Sequence, residues 1–168
     1  MSEAPRRTVM DPQQVEGTLA RMAGEVLRLA GGTGDLVLMG IHRRGVELAR
    51  RMAEEIGRLT AAAVPTGSLD ITLYRDDLMA VGPRPVIGET RIPPEGIDGR
   101  VVAIVDDVLY TGRTVRAALE ELGDLGRTRR TLLAVLVDRG GRELPIQADV
   151  AGARVEVPQG GRVEVLVP

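Results

Sequence analysis

Val102-Ala103-Ile104-Val105-Asp106-Asp107-Val108-Leu109-Tyr110-Thr111-Gly112-Arg113-Thr114 is the stretch on which the fold turns. Residues 101–105 form an apolar, mostly β-branched run of the kind a strand covered on both faces requires. Two carboxylates follow, then the small-residue turn Thr111-Gly112-Arg113-Thr114, behind which Val115, Ala118, Leu119 and Leu122 recur at helical spacing. Backbone amides at the start of such a helix face outward and attract phosphate. Adjacent carboxylates repel a phosphate, so Asp106 and Asp107 must address something beside it that donates hydrogen bonds or becomes positive. Sugar hydroxyls meet the first description. An acidic pair alone is more often a solvated loop; here the turn after it makes it a site.

The same pattern repeats on either side. Residues 36–41 are a continuous apolar run ending in the polar turn Gly40-Ile41-His42-Arg43-Arg44-Gly45, after which Leu48, Ala49, Met52, Ala53 and Ile56 follow a helical period. Residues 132–137 supply a third buried strand. Upstream, Asp11 before Pro12 reads as an N-cap with proline in the first turn, and Val15, Leu19, Met22, Val26 and Leu29 carry a helix to Gly31-Gly32. Leu69, Ile71 and Leu73 alternate with Asp70 and Thr72, which predicts a strand with one wet face. Residues 80–99, rich in proline and glycine, read as a long irregular excursion, and the stretch between Leu73 and Gly88 as a lid that would exclude water. Residues 149–157 and 163–167 suggest two short strands in a hairpin about Gln159-Gly160-Gly161. Strands alternating with helices predict an α/β fold, a central parallel sheet flanked by helices, in one domain spanning 1–168. In such sheets ligands collect beyond the carboxyl ends of the strands, between the loops after Ile41 and Val105.

Composition narrows the chemistry. The chain has no cysteine and one histidine, His42, which excludes thiol nucleophiles, cysteine–zinc sites and a His-pair metal site. All 22 basic residues are arginine, so Schiff-base chemistry and a P-loop lysine are excluded too. Phosphates must therefore meet arginine and backbone amides. With Tyr74 and Tyr110 the only aromatics, there is no base-stacking platform of the single-strand-binding kind. A net charge of −2 means that any polyanion partner needs a local arginine cluster. No apolar run approaches the roughly 20 residues of a membrane span, and residues 1–9 lack the apolar core of a secretory signal, so a cytoplasmic protein is expected.

Residues 102–114 resemble the thirteen-residue PRPP-binding motif of type I phosphoribosyltransferases. The stretches Leu69-Asp70-Ile71-Thr72-Leu73-Tyr74-Arg75-Asp76-Asp77 and Val137-Asp138-Arg139-Gly140-Gly141-Arg142-Glu143-Leu144-Pro145-Ile146 are similar to the PyrR family, bifunctional uracil phosphoribosyltransferases that also regulate pyrimidine operons by binding mRNA leaders. The likeness runs from about Asp11 to Gly152. It implies a type I phosphoribosyltransferase fold with a small hood and a flexible, β-containing lid. It also implies that Asp106 and Asp107 hold the ribose hydroxyls and that Tyr110 to Thr114, with Thr111, Gly112 and Arg113, cradle the 5′-phosphate. The diphosphate would be met by Mg²⁺ carried in with PRPP, by the loop Ile41, His42, Arg43, Arg44 and Gly45, with Arg44 the chosen contact, and by Arg75. Val108 would pack on the base, and Val137, Asp138 and Arg139 would offer backbone groups to its edge.

Substrate choice follows from the same likeness. Purine-using relatives tend to carry an aspartate where this chain has Tyr110, and orotate-using relatives rely on lysines absent here, so uracil is favoured, with UMP as product. For RNA the likeness is looser: family members usually have histidine at the position of Gly141, and a Lys-containing stretch where this chain has 153–158. Ala20 and Gly24 stand on the first helix where relatives place polar or basic groups. Arg21, Arg28, Arg139, Arg142 and Arg154 are the expected basic patch for a pyrimidine-operon leader mRNA, doubled in a homodimer or a dimer of dimers. Two alternatives stand beside the enzyme: an RNA-binding regulator that uses the pocket only to sense UMP, and a phosphoribosyltransferase for another base.

Overall fold

Five strands build one wholly parallel sheet in a computed structural model that describes residues 5–76 and 88–166. The order of elements is α1 (Pro12–Ala30), β1 (Leu36–Ile41), α2 (Arg44–Thr60), β2 (Thr66–Leu69), a 3-10 turn (Thr72–Tyr74), β3 (Val101–Leu109), α3 (Arg113–Leu125), β4 (Arg130–Asp138) and β5 (Val150–Arg154). Across the sheet the strands run β2-β1-β3-β4-β5. The chain thus winds one way from β1 through α2 to β2 and the other way from β3 through α3 to β4. A crevice is left beyond the carboxyl ends of β1 and β3, where the winding reverses.

Alternation along each strand explains why both faces are covered. Leu36, Leu38, Val101, Ala103, Val105, Leu132 and Ala134 face α1 and α2, packing on Met22, Val26, Met52 and Ile56. The intervening Val37, Met39, Val102, Ile104, Leu133 and Val135 face α3, packing on Val115, Ala118 and Leu122. The opening helix is capped as its sequence predicts: the Asp11 carboxylate accepts from the Gln14 amide at 2.8 Å, the Gln14 side-chain oxygen accepts from the Asp11 amide, and Gly31 closes the helix in the left-handed conformation at φ 73°.

Three expectations are corrected. The strand read over 69–73 is instead β2 at Thr66–Leu69, because the Asp70 carboxylate takes both the amide (2.9 Å) and the hydroxyl (2.5 Å) of Thr72 and turns the chain into the 3-10 turn. The strand expected to stop at Val105 continues to Leu109, so the acidic pair lies within β3 and not after it. The expected C-terminal hairpin is absent from the described residues: β5 pairs parallel with β4, and Val155, Val163 and Val165 fold back onto the α1/α2 side of the core. Pro158, which has no amide to donate, precedes a turn at Gly160, φ 81°, and pairing does not resume after it.

Most of the expected lid, residues 77–87, lies outside the described residues. Its described flank returns at Arg91, which forms an antiparallel bridge with Ser68 at the edge of the sheet. No described helix is long and apolar enough to cross a membrane.

Candidate active site

The register of the sheet produces the site. β1 and β3 pair from Leu36 opposite Val101 to Gly40 opposite Val105, and β1 ends at Ile41. Beyond Val105, β3 has β4 on one side but no strand partner among the described residues on the other, and Asp106, Asp107 and Val108 border a cavity of about 420 Å³ in the gap. Its opposite wall is the loop after β1, represented by Ile41, His42, Arg43 and Arg44, with Arg113 and Thr114 at the start of α3 beside it. The peptide between His42 and Arg43 is cis.

Two glycine-bearing loops can meet here only because α2 begins against β3. A Cβ on Gly45 would overlap the Val105 carbonyl oxygen, immediately before Asp106, so the absence of a side chain sets the spacing between the arginine loop and the acidic pair. The turn before α3 has Gly112 as N-cap at φ 94°, and the helix has no side-chain cap. The Arg113 amide is met by the Thr111 hydroxyl at 3.2 Å, and no N-cap side chain covers the amides that follow, as an anion site requires. A second cavity of about 110 Å³ is bounded by this turn, from Val108 to Gly112 with Thr114 and Val115.

The two carboxylates are in different surroundings. Asp106 is 7% exposed and Asp107 half-buried. Asp106 Oδ1 accepts from the Asp107 amide and Asp107 Oδ1 from the Val108 amide, both at 2.8 Å. Burial, then the charge of Asp107 and the hydrogen bond between the side chains, push Asp106 well above the ordinary carboxylate range. Such a pair favours a ligand that brings positive charge or hydroxyl donors. Among the described residues no group of three or more acidic or histidine side chains is arranged as a cation cage. The acidic pair can give at most part of a coordination shell to a hard cation, which would take its remaining oxygens from the ligand and water.

The predicted residues divide by position. Asp106, Asp107, Val108, Arg75, Ile41, His42, Arg43, Arg44, Arg113 and Thr114 line the larger cavity, and Tyr110, Thr111 and Gly112 the smaller one. Of the four base-site candidates only Val108 borders either space. Val137 lies inside β4, paired with Val108 and Ala153, the Arg139 amide donates to the Leu109 carbonyl at 3.1 Å, and the Asp138 carbonyl accepts from the Val155 amide. The Arg113 guanidinium is held by Asp76 at 2.6 Å and Glu143 at 3.0 Å, spanning the mouth between the 3-10 turn and the loop after β4. Asp70 and Thr72 also line the cavity and were not singled out from sequence. Their signal was legible: an Asp-x-Thr step at the end of an apolar run is a turn former, not a wet strand face.

The five arginines of the expected RNA patch do not form one surface. Arg139, Arg142 and Arg154 gather about Asp138 at the carboxyl end of β4, Arg142 at 2.7 Å and Arg154 at 3.1 Å from its carboxylate, while Arg139 stacks 3.8 Å over the Tyr110 ring. Burial alone would raise Asp138, but the hydrogen bond from Arg142 and that from the Gly140 amide hold it below its usual range. Arg142 also donates to the Ile146 and Tyr110 carbonyls at 2.7 and 2.8 Å, bracing the loop, and Arg21 ties α1 to β5 through the Gly152 carbonyl at 2.6 Å. Arg28 stands apart: its neighbour Leu29 accepts from Arg130, which opens β4 at the end opposite Asp138. At Gly141, φ 81°, a Cβ would lie 2.5 Å from the ring of the exposed Tyr110, so a larger residue needs both a strained backbone and a shift of that ring.

Known proteins are similar to this chain over most of its length. A family model described as the phosphoribosyl transferase domain matches residues 8–159. The chain is 53% identical over 146 residues to the "Bifunctional protein PyrR" of Streptomyces coelicolor, covering 87% of this chain and 75% of that protein. It is 52% identical over 159 residues to the protein of the same name from Thermus aquaticus, covering 95% and 87%. Among solved structures, a hypoxanthine-guanine phosphoribosyltransferase from Bacillus anthracis superposes with a TM-score of 0.71 at 15% identity, over 89% of this chain and 84% of that one. The hypoxanthine phosphoribosyltransferase of Trypanosoma cruzi gives 0.70 at 18%, over 90% and 82%. At those identities the two structures speak to the fold alone.

Proposed function

Because this chain belongs to the PyrR family of phosphoribosyltransferase-domain proteins, we propose that it joins uracil to the ribose of PRPP, releasing pyrophosphate and forming UMP, and that it regulates pyrimidine genes by binding leader mRNA. The observation that carries the enzymatic half is the meeting of Asp106 and Asp107 with an uncapped helix start across one 420 Å³ cavity. The amides of the turn and the Thr111 and Thr114 hydroxyls receive the 5′-phosphate. The acidic pair accepts from the ribose hydroxyls beside it. As the bond from C1 to the diphosphate oxygen breaks ahead of attack by uracil N1, whose proton is given up to the released diphosphate, the sugar gains positive charge, and the pair beneath it stabilises that charge. The leaving diphosphate moves toward the 41–45 loop, where Arg44 offers a planar, two-pronged grip, and toward Arg75. Asp106 and Asp107 are the residues that would complete the shell of a Mg²⁺ carried in with PRPP, which when bound would neutralise charge on the diphosphate.

Incubation with PRPP, Mg²⁺ and each nucleobase in turn, followed by assay of pyrophosphate and nucleotide, tests this half. Turnover with uracil alone is expected. Turnover with another base instead, or with none while UMP still binds, replaces it with one of the two alternatives. The RNA half rests on the family and on Arg139, Arg142 and Arg154 clustered at one sheet edge. Filter binding of a pyrimidine leader RNA, with affinity falling steeply as salt rises, is its expected signature. No specific binding at low salt removes it.

A further inference from the structure

Asp70 sits where the chain leaves the sheet on one side of residues 77–87, and its carboxylate reaches the segment that returns on the other. Oδ1 accepts from the amide and hydroxyl of Thr72 on the outgoing stem, while Oδ2 accepts from the Gly88 amide on the returning stem at 3.0 Å. Burial works against its charge, but these bonds outweigh it and hold Asp70 below the ordinary carboxylate range.

The returning stem is fastened at three more points. Ser68 and Arg91 exchange backbone hydrogen bonds at 3.0 and 2.9 Å, and the Ser68 hydroxyl donates to the Glu89 carbonyl at 2.6 Å. The Thr90 hydroxyl accepts from the Asp70 amide and donates to Glu121, a 5% exposed acid on α3. His42 Nε2 lies 2.9 Å from the same Glu89 carbonyl. The Gly88 backbone lies so close to the imidazole that a Cβ there would fall 2.5 Å from ring atoms. One cluster therefore joins β2, α3, both stems and the loop that carries Arg43 and Arg44.

From this geometry we infer that Asp70 is a positioning residue for the reaction. By clasping both stems it fixes Arg75 and Asp76, which follow Thr72 by three and four residues, in register with the His42-Arg43-Arg44 wall across the cavity. The inference rests on the functional reading above and assigns Asp70 a role through Thr72 and Gly88. Asparagine at this position cannot serve both stems. Its single carbonyl oxygen can accept from Thr72 or from Gly88, and the amide nitrogen then faces an N–H as donor against donor.

Hydrogen exchange on the wild type, Asp70→Asn and Thr90→Val, read beside steady-state kinetics with PRPP and uracil, tests the clasp. Thr90 borders neither cavity, so its variant reports on the cluster alone. In Asp70→Asn the amides of 72–76 and 88–91 are expected to exchange at least ~10-fold faster while β3 and β4 stay protected, with kcat lowered more than KM for PRPP is raised. Thr90→Val is expected to move both readouts the same way by a smaller amount. Unchanged exchange in the stems, or a rise in KM for PRPP with kcat intact, overturns the proposal and makes Asp70 a plain substrate contact. A wild type that turns over no base sinks the functional reading instead, and the exchange rates then decide the clasp by themselves.

Discussion

Replacing Asp106 with asparagine should cost activity and raise stability, two effects of opposite sign from one lost charge. Asparagine keeps the shape and can still accept from the Asp107 amide at the 2.8 Å spacing, so the change removes charge and leaves the local geometry. With an effective dielectric near 20, a carboxylate about 4–5 Å from the ribose C1 stabilises a full positive charge by about 3–4 kcal/mol, and roughly half of that when half a charge has developed. Weakened acceptance from a ribose hydroxyl adds about 1 kcal/mol, so kcat/KM should fall on the order of 10²-fold. In the ligand-free protein the same charge is a burden: Asp106 is 7% exposed and held against Asp107. Relief on the order of 1 kcal/mol would lift the melting midpoint by about 2–4 °C in a chain of this size.

The sign of the pH dependence separates this account from a generic stabilising substitution. Because folding raises the pKa of Asp106, the native state holds its proton more tightly than the unfolded chain does, and wild-type stability falls as pH rises through the window that begins near the unfolded value of about 3.9 and ends at the folded one. The gap between Asp106→Asn and wild type should therefore be small near pH 3.5, open as pH rises and level off above the folded pKa. Thermal melts across pH 3.5–8, paired with the pyrophosphate assay, would read both effects. A variant that melts lower than wild type at pH 7.5, or a gap that widens toward acid, refutes the buried-charge argument; undiminished kcat/KM refutes the role of the acid in catalysis.

Asp138 should titrate in the other sense. Its bonds to Arg142, Arg154 and the Gly140 amide depress its pKa, so its stabilisation is complete above about pH 4 and is lost as pH falls through the folded value. Asp138→Asn is expected to cost about 2–3 kcal/mol at pH 7, and denaturant melts should show that difference shrinking in acid. Gly45→Ala sets helix propensity against overlap with the Val105 carbonyl. Alanine favours the helix by at most about 1 kcal/mol, whereas forcing the α2 start away from β3 costs about 1–3 kcal/mol and spreads the arginine loop from the acidic pair. A fall of several degrees in melting midpoint with a drop of ~10-fold or more in kcat/KM is expected, and a variant as active as wild type would disprove the spacing argument.

How much of this was legible in the sequence depends on whether a signal was local. The three buried strands, the helices behind them and the cap at Asp11-Pro12 were readable because apolar period and capping chemistry act within a few residues. The 3-10 turn at Thr72–Tyr74 was misread because alternation of Leu69, Ile71 and Leu73 imitates a strand, and the competing bond from Asp70 to Thr72 outweighs it. The C-terminal alternation at 163–166 misled in the same way: Val163 and Val165 find burial on the α1/α2 side of the core without pairing into the sheet. The extension of β3 to Leu109 could not be read at all, since it depends on β4 reaching Asp138 while β1 stops at Ile41, a difference in length between strands far apart in the chain.

That difference in length is also what makes the chemistry possible. Had β1 continued beside Asp106, its backbone would have occupied the open side of β3, and the acidic pair would have faced another strand instead of a cavity. Had β3 stopped at Val105, the pair would have joined a solvated loop, as free to turn away as the residues of any other loop. The stagger holds two carboxylates on a strand paired along one side only, with a buried partner on β4 fixing their height above the sheet. An acid that must stay in place while charge appears beside it needs that rigidity, because an electrostatic effect gained from a fixed group costs no reorganisation at the moment of reaction. The raised pKa of Asp106 follows from the same burial and is therefore bound to the function: a substitution that relaxes it should also release the sugar.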